Sequence, residues 1–185
     1  MAVTQETRLW TIGHGNRPLD EFLSLLHAAG IECLVDVRAF PASRRNPQFA
    51  REALERSLAP GGIRYLWEGK ALGGRRKPAA DSPHVALKNP GFRAYADHMT
   101  TGEFRDAHER LIVNARSART AIMCAERLPW QCHRFLISDY STAQAVRVLH
   151  LVGPGRAQEH RMNSIARIRD ARLVYDGQTQ RPLDL

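Results

Sequence analysis

The 185-residue sequence has few cysteines, few lysines and no long apolar run. Its three cysteines are an odd number, which argues against a framework of disulfides. No window holds the roughly 20 apolar residues that a membrane-spanning helix needs. Residues 1–8 lack the apolar segment of a signal peptide. We therefore expect a cytoplasmic protein with reduced thiols and no membrane partner.

Acidic residues are also scarce relative to basic ones, with 19 Asp and Glu against 27 Lys and Arg and a formal net charge of +8. Such a charge favours polyanions and phosphorylated ligands. However, 24 of the basic residues are Arg and 3 are Lys, a bias that the base composition of a genome also produces. A nucleic-acid or nucleotide partner is therefore one of two interpretations. Its local patch would be Arg44 with Arg45, and residues 75–77.

Short apolar runs alternate with segments of helical periodicity. In the first helical segment, Leu19, Phe22, Leu23 and Leu26 follow the spacing of one helix face. This alternation predicts an α/β fold, with a mainly parallel sheet of about five strands and helices on both faces. We expect one domain over residues 1–185, with a C-terminal tail from about residue 161. The predicted strands are 8–12, 31–37, 63–67, 120–124 and 146–152, with late strand character at 173–175.

Residues 68–89 follow neither a helical nor a strand period. A loop of this length in a compact domain is commonly functional. The segment is thus predicted to be a lid or a binding loop, and simple disorder is the alternative.

Residues 124–134, with the sequence CAERLPWQCHR, bring together more reactive side chains than any other window. They follow the fourth predicted strand and precede a predicted helix. Ligands of parallel sheets bind at the carboxyl ends of the strands. His14, Asp36, Arg38 and Glu126 each lie near the end of a predicted strand, so we expect these side chains to converge at one edge of the sheet.

Several short motifs together resemble those of the domain of unknown function family 488. They are TIGHGNR at 11–17, VDVR at 35–38, SRRNPQF at 43–49, LGG at 72–74, CAE at 124–126 and CHR at 132–134. The resemblance extends over about residues 9–160. Gly15 departs from the pattern, in which most members have Ser. The resemblance implies a compact α/β fold and that the matched residues matter, but it implies no activity.

Two carboxylates at the predicted edge suggest acid/base chemistry. Asp36 and Glu126 would act as acid and base, and His14 would carry protons because the usual pKa of histidine is near neutrality. The alternatives are ion pairs, of Asp36 with Arg38 or Arg134, and of Glu126 with Arg127 or Arg17.

Cys132 stands near the start of a predicted helix, where the helix dipole lowers the pKa of a thiol and favours anions. It is therefore either a nucleophile or a structural thiol. No firm metal ligand set is assigned, but Cys124, Cys132 and His133, with His14 nearby, are the candidates for a divalent metal cofactor. Their cysteine spacing of eight is longer than that of usual zinc motifs.

The leading hypothesis is an enzyme with hydrolase- or lyase-type acid/base chemistry on an anionic substrate, a nucleic acid or nucleotide. The alternatives are a non-catalytic nucleic-acid-binding module and a metal-binding redox or sensor protein. The predicted catalytic residues are His14, Asp36, Glu126, Cys132 and His133. The predicted residues for substrate or anion binding are Asn16, Arg17, Arg38, Arg44, Arg45, Trp130 and Arg134.

Overall fold

The computed structural model describes residues 6–42, 44–155 and 157–177. Residue 43, the first of the motif at 43–49, lies outside these ranges, as do both ends of the expected domain. Within them, no helix is long and apolar enough to cross a membrane. The helices are α1 (Leu19–Ala28), α2 (Arg51–Leu58), α3 (Gly69–Leu72), α4 (Pro90–His98), α5 (Gly102–Ser117) and α6 (Arg134–Ala143).

The fold is α/β with a mostly parallel central sheet, as predicted. Five strands run parallel and a sixth, two-residue strand joins the edge antiparallel, in the order β3-β2-β4-β1-β5-β6. These strands are β1 (Arg8–Gly13), β2 (Cys33–Asp36), β3 (Arg64–Trp67), β4 (Thr120–Cys124), β5 (Arg147–Leu151) and β6 (Gln158–Glu159).

Helices cover both faces of the sheet, so the inner strands are buried on both sides. Along β4, Ala121 and Met123 face the core formed with α1 and α2, while Ile122 and Cys124 face the core formed with α4, α5 and α6. A strand whose alternate side chains are all buried has no polar alternation. This burial explains the continuous apolar run of β4.

Local capping residues set where the helices begin. The Asn89 side chain accepts hydrogen bonds from the N–H groups of Gly91 and Phe92 at the start of α4. Thr101 accepts one from Phe104 at the start of α5. These side chains satisfy N–H groups that lack partners within the helix. The two helices therefore begin at defined residues and place their apolar faces on the sheet.

The segment 68–89 contains one short helix, α3, and no further helix or strand. Arg76 donates to the carbonyl oxygens of Gly73, Lys70 and Ala71. Tyr95 donates to the carbonyl of Leu72. The first part of the segment thus packs over α4 along a defined path, on the way to the sheet edge.

The tail forms a hairpin of β7 (Ala166–Arg169) and β8 (Arg172–Tyr175), which only partly matches the predicted strand at 173–175. Asp170 and Ala171 form its turn and both have positive φ, as a two-residue hairpin turn of type I′ requires. Tyr175 is fully buried in the core. The hairpin therefore packs onto the α/β body.

Candidate active site

The carboxyl ends of β1, β2 and β4 lie side by side, in the arrangement predicted for the residues that follow these strands. Gly13 pairs with Cys124, and Asp36 pairs with Met123. Beyond the strands the two loops continue to pair, because His14 donates its N–H to the Cys124 carbonyl at 3.1 Å and Gly15 to that of Ala125 at 2.7 Å. The loop carrying Glu126 is thereby held against the loop carrying His14.

Gly13 allows this close approach. A Cβ atom at this position would lie 1.8 Å from the carbonyl oxygen of Glu126, which no side chain tolerates. Arg134 supports the same carbonyl from below, since its Nη2 donates to it at 2.6 Å and its Nη1 donates to Thr11 Oγ1 at 3.2 Å. The backbone at Glu126 is thus fixed from two sides.

A cleft opens at this edge, in two halves that share Arg38, Phe40, Ala125 and Glu126. The thiol half has a volume of ≈ 280 Å³, and the His14 half has a volume of ≈ 490 Å³. Glu126 is the one carboxylate among the described residues that line either half. The thiol half is completed by Ala39, Gly74, Arg75, Phe92, Cys124, Gln131, Cys132 and His133. The His14 half is completed by His14, Gly15, Asn16, Ala42, Arg45 and Asn46.

Two thiols and an imidazole meet at the floor of the thiol half. His133 Nδ1 lies 3.8 Å from Cys124 Sγ and 3.6 Å from Cys132 Sγ. The other ring nitrogen, Nε2, lies 3.2 Å from the carbonyl oxygen of Val37. Glu126 reaches in from the rim and accepts a hydrogen bond from the Cys124 thiol at 3.2 Å.

The two thiols have opposite acidities. Burial opposes ionisation of Cys132, but the neighbouring Cys124 and His133 hold its pKa well below the usual value. The neighbouring Cys132, together with burial, raises the pKa of Cys124 well above its usual value. The N–H of Arg134, at the start of α6, also points to Cys132 Sγ at 3.5 Å. By the direction of these shifts, Cys132 is the more acidic of the two thiols.

The His14 half is built on a chain of buried polar groups. Asp36 is fully buried and accepts from Arg38 Nη2 at 2.6 Å and from Tyr65 Oη at 2.7 Å. Arg38 Nη1 lies 3.3 Å from His14 Nε2, and His14 Nδ1 lies 2.8 Å from the Gly15 carbonyl oxygen. Burial lowers the pKa of His14. A neutral ring that donates from Nδ1 and accepts at Nε2 satisfies both contacts.

Seven of the twelve predicted catalytic or binding residues line the cleft. They are His14, Asn16, Arg38, Arg45, Glu126, Cys132 and His133. Asp36 does not line it. It forms the ion pair with Arg38 that was the alternative to a catalytic role. The Asp36 carboxylate is therefore occupied by protein partners, and proton transfer by Asp36 stays an untested prediction.

Four predicted anion-binding residues also lie outside the cleft lining. Arg134 is 1% exposed and holds the loop from beneath. Arg17 is 2% exposed and bonds Glu21 and the carbonyl of Val152. Both guanidinium groups are therefore buried in protein contacts and do not line the cleft. Arg44 is exposed beside Arg45, and Trp130 is 52% exposed on the loop after β4.

The cleft contains aromatic and cationic residues that the sequence did not single out for it. Phe40 is 67% exposed, and the guanidinium of Arg75 lies 5.2 Å from its ring centroid. Phe92 lines the thiol half. An aromatic residue directly before Pro41, in a loop rich in Arg, was the available signal for Phe40.

Comparison with known families identifies the chain. The profile of the family described as Domain of unknown function DUF488 matches residues 18–141, which is more than half of the sequence. The chain belongs to this family. The match includes Arg38, Glu126, Cys132 and His133, and it begins after His14. No curated protein and no solved structure matches the chain.

Proposed function

We propose that this member of the family is an enzyme with hydrolase-type acid/base chemistry, whose substrate is a nucleotide or a nucleic acid. The supporting observation is the composition of the cleft. One exposed carboxylate, that of Glu126, stands between two half-clefts whose other charged residues are the cations Arg38, Arg45 and Arg75, with His14 and His133. A single base among cations suits the attack of water on an anionic group.

Each cleft residue has a role in this proposal. Glu126 accepts the proton of the attacking water. Arg38 holds the anion, because within the described chain its Nη1 has His14 as its partner and keeps a second N–H for a ligand. Asp36 fixes the guanidinium of Arg38 from behind, and Tyr65 donates to Asp36 and holds it in place. His14 orients Arg38, and the low pKa keeps His14 neutral near pH 7.

The rim favours a substrate that carries a planar base. Phe40 is largely exposed and stacks with Arg75 at the shared wall of both halves. Stacking of a base on such an aromatic side chain contributes about 1–3 kcal/mol. This platform is the reason for naming nucleotides and single-stranded nucleic acids as the substrate class.

The test is a screen for hydrolysis by the wild type and by Glu126→Gln. Mononucleotides, dinucleotides and single-stranded oligonucleotides are incubated with each protein, and the products are identified by mass spectrometry. The proposal expects hydrolysis by the wild type that is lost in Glu126→Gln. A covalent adduct on Cys132 in the intact mass would instead identify that thiolate as the nucleophile.

The second candidate is a nucleic-acid-binding module that has no catalysis. It is supported by the exposed Arg44, Arg45, Arg75 and Lys77, whereas Arg76 is bonded to carbonyls of its own segment. Tight, salt-dependent binding of an oligonucleotide that neither protein hydrolyses, and that Glu126→Gln retains, would favour this module over the enzyme.

A further inference from the structure

We propose that Cys124, Cys132 and His133 bind one thiophilic divalent metal ion, with zinc as the expected ion, and leave a fourth coordination position open to the cleft. The three donor atoms all lie within 4.8 Å of one another. They come from the end of β4 and the start of α6, two elements of the packed body. The catalytic use of the ion rests on the proposed function, whereas its binding does not.

The two sulfur–nitrogen separations are close to those of a tetrahedral zinc site. Zinc–sulfur bonds of about 2.3 Å and zinc–nitrogen bonds of about 2.0 Å, at the tetrahedral angle, place sulfur and nitrogen about 3.5 Å apart. His133 Nδ1 lies 3.8 Å from Cys124 Sγ and 3.6 Å from Cys132 Sγ. With all three donor atoms within 4.8 Å of one another, an ion binds them by drawing the site together.

The imidazole is oriented by a partner outside the site. His133 Nε2 is 3.2 Å from the Val37 carbonyl oxygen, which accepts but cannot donate. With an ion bound, the proton of the neutral ring is thus on Nε2, and the lone pair of Nδ1 is available to the ion. Metal-bound histidines have this arrangement, in which a carbonyl fixes the tautomer and the ring orientation.

The charge of the site also suits a divalent ion. Two thiolates neutralise a divalent cation, so the occupied floor of the cleft carries no net charge in a buried setting. Binding of the ion requires both thiols to be free of their protons. The N–H of Arg134 at the start of α6 stabilises the sulfur of Cys132.

The open position follows from Gly74 and Glu126. A Cβ atom at position 74 would lie 2.7 Å from His133 Nδ1. Because glycine has no Cβ atom, the donor atoms stay open to the cleft. All three donor residues line the thiol half of the cleft. Glu126 Oε2 lies 3.2 Å from Cys124 Sγ, beside the expected place of a bound water. Three protein ligands and one water are typical of catalytic zinc sites, and the ion lowers the pKa of that water.

The test is a cobalt titration of the full chain, made metal-free with a chelator and kept reduced and under argon. We expect one Co²⁺ per chain, a thiolate-to-cobalt charge-transfer band, the visible bands of tetrahedral cobalt, and displacement of the cobalt by zinc. Cys132→Ser should weaken binding at least about tenfold, since even the loss of a ligand's hydrogen-bond partner changes affinity about 10–100-fold. Cys33→Ala is the matched control, because Cys33 is a buried thiol of β2 outside the site.

Glu126→Gln should bind cobalt like the wild type, because Glu126 is placed beside the open position. Loss of binding in this variant would overturn the open fourth position. No charge-transfer band in the reduced wild type, or equal binding by Cys132→Ser, would overturn the site itself. Hydrolysis without metal binding would sink this inference alone, and metal binding without hydrolysis of any nucleotide would sink the proposed function alone.

Discussion

Two groups of titratable residues lie on the same α/β body and differ in what they face. The cleft group, Cys124, Glu126, Cys132 and His133, lines an open cavity. The second group is the sealed network, which consists of Asp139, His150, His160 and Tyr175. All four of its members are buried.

The sealed network satisfies its hydrogen bonds within the protein. Asp139 accepts from His160 at 2.8 Å and from Tyr175 at 2.9 Å, and His160 bonds His150 at 2.9 Å. His150 in turn bonds Thr11. In the cleft group, by contrast, the Glu126 carboxylate contacts a thiol and solvent. Burial and a shifted pKa therefore occur both in structural residues and in candidate catalytic residues. Access to a cavity is the property that distinguishes the candidate catalytic residues.

The largest difference between the groups is expected in activity. Glu126→Gln should lower kcat on a substrate found in the screen by about 10²–10⁴-fold, the usual contribution of a general base. Its free energy of unfolding should stay within about 0.5 kcal/mol of wild type, as for an exposed position. Steady-state kinetics and urea denaturation of the same preparation measure both. An unchanged kcat would remove Glu126 from the chemistry.

Asp139→Ala should show the opposite behaviour. Removing this carboxylate leaves His160 and Tyr175 without their buried partner, and we expect a loss of about 3–5 kcal/mol of stability. Urea denaturation measures it, and kcat per folded molecule should change far less than in Glu126→Gln. Tyr175→Phe is the milder control, because it removes one hydrogen bond and keeps the ring. Full stability of Asp139→Ala would contradict the structural role of the network.

The sealed network should also make stability depend on pH. Burial, with the neighbouring His160 and Arg134, lowers the pKa of His150 to about 3. Above about pH 6.5 the His150 ring is neutral in both the folded and the unfolded chain, so its ionisation does not lower the free energy of unfolding there. As the pH falls from about 6.5 towards 3, the unfolded chain binds a proton that the folded chain does not, which costs up to about 1.4 kcal/mol per pH unit.

Replacing His150 with Gln should therefore reduce the slope of stability against pH in this range. Urea denaturation at pH 7, 6, 5 and about 4 measures the slope, with His27→Gln at an exposed position of α1 as the control. An identical slope in wild type and His150→Gln would show that His150 does not govern it.

The smallest expected effect distinguishes two aromatic residues near the cleft. Phe40→Ala should weaken binding of a single-stranded oligonucleotide by about 1–3 kcal/mol. Trp130→Ala should change it by no more than about 0.5 kcal/mol, because Trp130 is exposed but does not line the cleft. Fluorescence anisotropy at fixed salt measures both. The reverse ranking would favour Trp130, which the sequence analysis predicted as a substrate-binding residue, over Phe40.

The strands of the central sheet were the most predictable part of the fold. β4 was predicted at its observed bounds, because burial on both faces leaves a continuous apolar run. The predicted second strand was two residues too long at its start, since Ile31 donates its N–H to Leu26 at the end of α1. The turn of the C-terminal hairpin could not be predicted from the sequence by the presence of glycine. Asp170 and Ala171 form this turn, and neither is a glycine.

The convergence of the site was predictable, but the direction of each side chain was not. His14, Arg38 and Glu126 meet because parallel strands end at one edge. The partner of Asp36 depends on the pairing of β2 with β3, which brings Tyr65 to its carboxylate. Arg17, in the loop before α1, and Arg134, at the start of α6, have buried side chains that bond to other segments of the chain. These tertiary contacts cannot be read from the local motifs.

The most direct test of the central claim is a crystal structure of Glu126→Gln with a bound nucleotide or short oligonucleotide, since this variant should bind substrate without hydrolysing it. We expect the anionic group near Arg38, the base against Phe40, and the scissile bond beside residue 126 and the thiols. Binding elsewhere would contradict the account. One such place is the cavity at the opposite end of the sheet, which Arg8, Arg116 and Arg119 line.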